Sequence, residues 1–485
     1  MSKDVDRYMG NTTQQQQQQQ STAGLQLLYF LSSSPPYYNN TTNSCNNNLR
    51  EEPFSKCTTT TTTTDDPELM DQAFATTSMT ATSSTASGVP MDSRIWRHLP
   101  QGLIDRVLTF LPPPAFFRFR SVCKRWYSLL FSDSFLEAHL RLSPGLPWLA
   151  FFLLPPRPPL LYSPSAAGPP PPPAALLLLD PATPAWFRIP LSPLLPRGFS
   201  PAASSAGLLC FLSDDPGAKS LLLLNPLSKL SSHLPPSPTP RLFPSVGLAA
   251  GPSSLSVVLA GDDLISPFAV KNLTAECFHA DGATGFYSPW ATASALPRLC
   301  NIDPGRMAFA AGRFYCMSCG PFAVLAYDVA SNAWCKIQPP MRRFLRSPSL
   351  AECGGRVLLV AAVEKSRLSV PRSVRLWALQ PCGRAWAEVE RMPQEVYVRF
   401  SEAEAGRGFE CVGNAEFMAI TIKGSTDVLL FDFYRKEWRW APPCPFIRGA
   451  AGGGLRGFAY EPRLATPAIG LLDSSSSMPF QGFNG

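Results

Sequence analysis

The sequence predicts a disordered N-terminal tail, a small all-α module and an all-β propeller, in that order along 485 residues. Residues 1–90 are poor in large apolar side chains and rich in single-residue runs, a composition that does not form a packed core. Residues 91–142 combine helical periodicity with short loops. From residue 146 to residue 475, an apolar run followed by a turn residue and a tryptophan recurs about every 50 residues.

The tail contains three polar runs, namely seven glutamines at Gln14–Gln20, an asparagine-rich stretch at Asn39–Asn48 and seven threonines at Thr58–Thr64. Such runs bury too little apolar surface to offset the entropy lost on ordering. Over the whole chain, 45% of residues are apolar and 52 are prolines. This composition favours short strands and tight loops over a helix-dominated fold.

Neither cysteine usage nor hydropathy indicates secretion or a membrane. The thirteen cysteines are odd in number and scattered, which favours reduced thiols over a disulfide framework. The apolar patch Leu25–Leu31 is too short to cross a bilayer, and the stretch Leu146–Tyr162 is interrupted by five prolines. The expected location is therefore the cytosol or the nucleus.

The helical module contains two apolar stripes at helical spacing. The first predicts a helix over Leu103–Leu111, which must end at Pro112–Pro114. The second runs from Val122 to Leu130, and Ser134–Glu137 has the pattern of a capping box that begins a last helix. About 45 residues cannot bury two such broad faces among themselves, so part of this surface is expected to contact a partner.

The β region is predicted from a repeated sequence pattern, in which a turn residue at the end of an apolar strand precedes a tryptophan by six positions. The pairs are Asp180/Trp186, Asp328/Trp334, Gln380/Trp386 and Asp432/Trp438, with Asn225/Ser231 in the same frame. Trp386 lies 52 residues from Trp334 and 52 from Trp438, whereas Trp186 and Trp334 are 148 apart, which leaves room for two intervening copies. A degenerate copy near Phe278 would complete six units.

A unit of this length is typical of a kelch-type blade, and the tryptophans are expected to pack between blades. Apolar runs that begin with glycine, at Gly312–Met317, Gly355–Val363 and Gly413–Thr421, are expected to supply earlier strands. The blade count would be seven if Gly454–Asp473 formed a blade of its own. Pro169–Pro173 is expected to be an inserted loop in the first blade.

The sequence offers little support for an enzyme, a metal site or a cofactor site. The four histidines show no paired ligand spacing, and Cys316 and Cys319 form a single CxxC without a second pair. Gly452–Gly457 matches a dinucleotide motif by letter but lacks the surrounding βαβ unit, and Asp262-Asp263 is best explained as a turn. We therefore expect a non-catalytic protein with no cofactor and no metal.

Positive charge is concentrated between residues 336 and 375, where nine Lys or Arg residues stand against two Glu residues, while the whole chain carries +7. This segment is a candidate contact for an acidic partner or for nucleic-acid phosphates, and an ordinary solvated face is the alternative. The candidate residues are Arg342, Arg343, Arg346, Lys365, Arg367 and Arg372. The first three lie in a proline-flanked stretch after the Trp334 strand, which we expect to be a loop at the rim between blades.

The helical module resembles the F-box, which docks on a Skp-type adaptor of cullin ubiquitin ligases. The resemblance is carried by Leu99-Pro100, the helix Leu103–Leu111, Pro112 and Val122-Cys-Lys-Arg-Trp126, and it departs at Pro113-Pro114-Ala115. It implies that an adaptor-facing surface includes Leu99, Pro100, Ile104, Leu111, Pro112, Val122, Cys123 and Trp126. The alternative is a helical cap whose leucines and tryptophan only fill its own core.

Stretches between residues 91 and 445, among them "PRLFPSVGL", "LAGDDLISPFAVKNLT", "QPPMRRFLRSPSL" and "GFECVGNAEF", resemble the plant F-box kelch family of UNUSUAL FLORAL ORGANS and FIMBRIATA. This resemblance implies a ligase subunit that contacts the adaptor and cullin through the F-box and a LEAFY-type transcription factor through the propeller, in floral meristems. It leaves open a transcriptional cofactor that binds LEAFY and DNA largely without ubiquitination. The same two surfaces serve both hypotheses.

Overall fold

The computed structural model describes residues 98–154, 175–266, 269–364, 371–447 and 453–475. The predicted disordered tail and the predicted loop at Pro169–Pro173 lie outside these residues. Residues 98–104 belong to a separate compact unit from the chain that follows, and they are described by themselves. In that segment, the Pro100 carbonyl oxygen accepts hydrogen bonds from Leu103 N at 2.9 Å and Ile104 N at 3.3 Å, which begins a helical turn.

The helical module consists of four α-helices and one 3₁₀ turn within the described residues. They are α1 (Gln101–Leu108), α2 (Pro113–Phe119), α3 (Lys124–Ser128), the 3₁₀ turn Leu129–Phe131 and α4 (Asp133–Leu142). The predicted end of the first helix is three residues late, because a residue before proline disfavours the helical conformation. Pro113 occupies the first position of α2, where its missing N–H costs nothing. The prolines therefore end one helix and begin the next.

The cap of α4 lies two residues before its predicted position. Ser132 is extended, and its Oγ accepts a hydrogen bond from Phe135 N at 3.4 Å. Ser134 already belongs to the first turn, and its Oγ lies 3.1 Å from Ser132 Oγ. The prediction at Ser134 was wrong because both serines carry the same capping chemistry, and the backbone conformation decides between them.

The β region is a six-bladed propeller of four-stranded antiparallel sheets, as predicted. The blades are numbered in chain order, and the four strands of each blade are given from the innermost to the outermost. Blade one comprises β26 (Gly454–Tyr460), β1 (Trp148–Leu154), β2 (Ala175–Asp180) and β3 (Ala185–Pro190). Blade two comprises β4 (Phe199–Ser205), β5 (Leu208–Ser213), β6 (Leu221–Asn225) and β7 (Leu230–Leu234).

The remaining strands follow in chain order, with two further helices. Blade three comprises β8 (Ser245–Ala250), β9 (Ser254–Ala260), β12 (Ala275–Asp281) and β13 (Phe286–Thr292), with the inserted hairpin β10 (Asp263–Ser266) and β11 (Ala269–Lys271). Blade four comprises β14 (Ala308–Ala310), β15 (Arg313–Ser318), β16 (Ala323–Asp328) and β17 (Ala333–Ile337). Blade five comprises β18 (Leu345–Cys353), β19 (Arg356–Glu364), β20 (Pro371–Leu379) and β21 (Trp386–Arg391). Blade six comprises β22 (Phe409–Asn414), β23 (Phe417–Ile422), β24 (Val428–Asp432) and β25 (Glu437–Trp440), and the helices are α5 (Gln394–Glu404) and α6 (Gly470–Ser475).

The ring is closed by the last strand. β26 pairs with β1 along its whole length, from Trp148↔Tyr460 to Leu154↔Gly454. The alternative of a seventh blade over Gly454–Asp473 was therefore wrong, because this strand completes the first blade. A propeller closed in this way leaves only short, protected strand edges.

The turn residues of the repeat work as predicted. Asp180 Oδ1 accepts from Ala182 N at 2.9 Å, and Asp432 Oδ1 accepts from Tyr434 N at 2.9 Å, so each carboxylate holds the tight turn between the third and fourth strands. Asn225 does the same in blade two, where its Oδ1 accepts from Leu227 N at 2.9 Å. In blade three Asp281 holds the turn and Tyr287 takes the tryptophan position, which identifies the degenerate copy near Phe278.

The tryptophans pack between blades, as predicted. Trp186 of blade one packs against a cluster that includes Val412 and Ala419 of blade six, and Trp438 packs against a cluster shared by blades five and six. One predicted strand was wrong: Gly413–Thr421 spans the turn between β22 and β23, where Ala415 has a φ of 49°.

Candidate adaptor-binding surface

The helical module has a small aromatic core that fixes its helices. Phe116 of α2 stacks on Phe135 of α4 with ring centroids 5.6 Å apart, and Phe117 packs edge-on against Phe116. His139 of α4 completes this buried group. Burial, with a smaller contribution from the Arg463 charge, lowers the pKa of His139 to about 4. The core therefore contains a neutral imidazole at physiological pH.

Arg120 joins α2 to α3 and is itself buried. Its Nε and Nη2 donate to the Tyr127 carbonyl oxygen at 3.1 and 2.7 Å, and its guanidinium lies 4.6 Å from the Tyr127 ring centroid. Burial lowers the pKa of this guanidinium, and the Tyr127 hydroxyl opposes that shift. The interaction fixes the angle at which α3 leaves α2.

An ion pair ties α1 to α3. Arg125 Nη2 lies 2.7 and 2.6 Å from the two carboxylate oxygens of Asp105. Both side chains are partly exposed, so the pair contributes orientation more than stability.

These contacts leave an apolar face, which we define as Val107, Phe110, Phe119 and Val122. The four side chains are between 40% and 66% exposed. Phe119 packs against Trp126, with ring centroids 5.5 Å apart and ring planes tilted by 48°. Exposed aromatic and aliphatic side chains on so small a module are typical of a protein interface.

All eight residues expected to face the adaptor are accessible. Pro100, Pro112, Val122 and Cys123 are exposed, and Leu99, Ile104, Leu111 and Trp126 are half-buried. Cys123 also shapes the surface, because its Sγ accepts from Trp126 N at 3.4 Å and caps α3. Val107, Phe110 and Phe119 were not among the expected residues. The sequence does contain a signal for them, because the module has more apolar side chains than its own core can bury.

The basic segment is only partly a loop. Arg342 and Arg343 form a 3₁₀ turn, in which Arg343 is exposed and Arg342 half-buried. Arg346 lies in β18, not in the expected loop, and it pairs with Glu404 of α5, so its charge is balanced locally. Lys365 and Arg367 lie outside the described residues, and Arg372 is described only as part of the β20 backbone.

Motifs suggestive of catalysis do not come together in the described residues. No group of three or more His, Cys, Asp or Glu residues there could hold a metal ion. Burial raises the pKa of the Cys316 thiol well above its usual range and that of Cys319 to about 11, so neither is a ready thiolate. Asp262 has the φ of a turn, 54°, as expected, whereas Asp263 is buried in an ion pair. No helix in the described chain is long and apolar enough to span a membrane.

Comparisons with known proteins match both regions. The F-box domain family matches residues 96–137, and the KIB1-4 beta-propeller family matches residues 180–401. ABERRANT PANICLE ORGANIZATION 1 of Oryza sativa subsp. indica is 54% identical over 84% of this chain and 97% of its own length. UNUSUAL FLORAL ORGANS of Arabidopsis thaliana is 50% identical over 82% of this chain and 92% of its own length. SKP1-interacting partner 15 of Arabidopsis thaliana is 24% identical over 77% of this chain and 99% of its own length.

Proposed function

This chain belongs to the plant F-box family that includes UNUSUAL FLORAL ORGANS and ABERRANT PANICLE ORGANIZATION 1, and we propose that it is the substrate-recognition subunit of a Skp–cullin–F-box ubiquitin ligase. It acts in the nucleus with a LEAFY-type transcription factor in floral meristem and floral organ identity. The names of the two relatives support the role in flower development, and the name of the third supports a Skp-type partner.

The observation that carries this proposal is the exposed apolar face on a module whose core is already complete. Phe116, Phe117 and Phe135 fill that core, so Phe119 and Val122 are surplus to its packing. Leaving such side chains in water forgoes roughly 1.5–3 kcal/mol for each one that could be fully buried. An adaptor that covers them recovers this free energy on binding.

In this proposal the protein carries out no chemistry. The F-box holds the propeller beside a recruited conjugating enzyme, and the propeller presents the bound transcription factor or another substrate. The rate of ubiquitin transfer rises because the acceptor lysine and the enzyme are held together, so the gain comes from effective concentration.

The test is copurification with a Skp-type adaptor. Val122→Asp and Phe119→Asp place a charge on the apolar face and should abolish copurification, since a buried unpaired carboxylate is costly. The matched control is Tyr434→Asp, an aromatic residue 89% exposed in blade six, which should copurify like wild type. Retention of the adaptor by both F-box variants would refute the proposal.

A second function is favoured by the exposed Arg342–Phe344 turn, in which Arg343 extends into solvent. Here the propeller is a transcriptional cofactor that binds LEAFY and DNA, and the F-box is largely dispensable. Deletion of residues 91–142 separates the two. Loss of adaptor binding with full activation of target genes would favour the cofactor, whereas loss of both would favour the ligase.

A further inference from the structure

The propeller has a central channel containing two cavities, of about 250 and about 380 Å³, and Arg306 lines both. Arg306 precedes β14 of blade four, yet its guanidinium reaches the opposite side of the ring. Its Nη1 donates to the Gly457 carbonyl oxygen of β26 at 2.8 Å, and its Nη2 donates to the Cys411 carbonyl oxygen of β22. Arg306 therefore spans the channel.

A second guanidinium lies beside it. Arg456 of β26 and Arg306 each have their Cζ atom 5.7 Å from the centroid of the buried Phe458 ring. Burial lowers the pKa of Arg306, Glu410 opposes this shift, and the charge of Arg456 adds to it. Two like charges held over one ring are unfavourable unless negative charge offsets them.

Arg456 also lacks a hydrogen-bond acceptor where it needs one. Its Nε is buried and has no partner within the described part of the chain, unlike the terminal nitrogens of Arg306. An unpaired buried guanidinium nitrogen costs free energy, and such groups in native proteins usually have a partner. Arg456 lines the smaller cavity, so an acceptor placed there would lie beside it.

The charge around the smaller cavity is asymmetric. Arg306, Arg456 and Lys423 line it, together with Asp303 and Glu410. Burial and the Glu410 charge raise the pKa of the Asp303 carboxyl, while Lys423 and Arg456 oppose that shift, and the three basic side chains outnumber the two carboxyl groups. The seryl side chains of Ser347 and Ser349 add hydroxyl donors.

The larger cavity differs, since Glu352, Glu461 and Arg463 line it together with Arg306. Arg463 is already paired with Glu461, at 2.8 and 2.9 Å. Available positive charge is therefore concentrated in the smaller cavity.

We propose that the smaller cavity of the channel binds a compact free anion that carries carboxylate or phosphate groups. The planar fork of Arg456 matches such a group, and Arg306 and Lys423 supply further positive charge. A volume of about 250 Å³ suits a compact small molecule rather than a folded segment of a partner. This site is independent of adaptor binding, because it lies in the propeller channel and uses none of the F-box residues.

The test is calorimetric titration of the full-length protein with inorganic phosphate and with citrate, at constant ionic strength set by chloride. We expect saturable binding of at least one of the two anions. Arg456→Gln removes the charge and the fork, and it should weaken that binding by about tenfold or more. Arg188→Gln is the matched control, because it removes an exposed arginine from the outer strand β3, and it should bind like wild type.

Lys423→Gln gives a second, independent readout, since Lys423 is exposed and its replacement should not disturb folding. It should also weaken binding, and it decides the question if Arg456→Gln does not yield folded protein. The proposal is overturned if wild type binds neither anion saturably, or if a folded Arg456→Gln or Lys423→Gln variant binds like wild type.

Discussion

Trp186 and Pro442 join the two ends of the propeller: the indole Nε1 of Trp186 in β3 donates to the Pro442 carbonyl oxygen at 2.8 Å, across 256 residues of sequence. Pro442 follows the outer strand of blade six, so this bond crosses the junction that β26 also closes. Trp438 occupies the same position in blade six, but its buried Nε1 has no partner among the described residues. The tryptophans at these two equivalent positions of the repeat therefore differ in hydrogen bonding, and we expect them to contribute differently to the free energy of unfolding.

Trp186→Phe should lower the free energy of unfolding by about 1 kcal/mol more than Trp438→Phe. Both changes remove a similar volume, but only the first leaves a carbonyl oxygen without its donor. Urea unfolding of each full-length variant, followed by tryptophan fluorescence and circular dichroism, measures the difference. Equal shifts of the midpoint would show that the Trp186–Pro442 bond contributes nothing to closure.

Arg241 should be far more sensitive than a surface arginine. It lies 3.0 Å from Asp263 and 3.4 Å from Glu276, and none of the three side chains is more than 3% exposed. Arg241→Leu leaves two buried carboxylates without their cation, which should cost about 3–5 kcal/mol. Thermal unfolding checks this, with Arg188→Leu as the exposed control. A melting temperature as high as that of the control would contradict the structural role of the cluster.

The sequence predicted what local chemistry determines. A turn residue such as Asp180 acts within one repeat, and an interblade tryptophan such as Trp186 recurs six positions after it, so their spacing indicated six blades and left a seventh open. Features that join distant segments were not predictable. Arg346 was expected in a loop because prolines flank its segment, and its pairing with Glu404, 58 residues away, could not be read from that segment. The neighbouring positions of Arg306 and Arg456 likewise appear only when the ring has closed.

His139 should make the helical module sensitive to acid. Its pKa falls from 6.5 to about 4 on folding, so between these values the unfolded chain binds more protons than the folded one. The free energy of unfolding should therefore decrease as the pH falls from 6.5 towards 4, by up to about 3 kcal/mol. Urea unfolding of the full-length protein followed by circular dichroism, at pH 7.5 and pH about 5, tests this direction.

His139→Leu should flatten this pH dependence, because it removes the titrating group while keeping an apolar side chain in the core. His233→Leu, a change of an exposed histidine in β7, is the control and should retain the wild-type dependence. A pH dependence that survives in His139→Leu would assign the effect to other groups.

Leu99 and Pro100 should matter to the adaptor although they contribute little to the core. Pro100 is exposed and Leu99 half-buried. Interface anchors of this kind contribute about 2 kcal/mol or more each when truncated, so Leu99→Ala combined with Pro100→Ala should abolish copurification with a Skp-type adaptor. Tyr434→Ala is the control. Wild-type copurification of the double variant would count against an adaptor interface at this end of the module.

The exposed arginine turn should distinguish binding to phosphate from binding to protein. Arg346 is paired with Glu404, so the informative change is Arg342→Ala with Arg343→Ala, and Arg346→Ala is the separate control. If the two arginines meet DNA, binding to a LEAFY–DNA complex should weaken, and the log–log salt slope should fall by roughly 0.9 for each phosphate that the variant no longer neutralises. If they meet an acidic protein face, affinity for LEAFY without DNA should fall as well. Titrations of LEAFY into both variants, with and without DNA and at several salt concentrations, separate these outcomes. If the variant lacking Arg342 and Arg343 binds like wild type under every condition, the turn is an ordinary solvated surface.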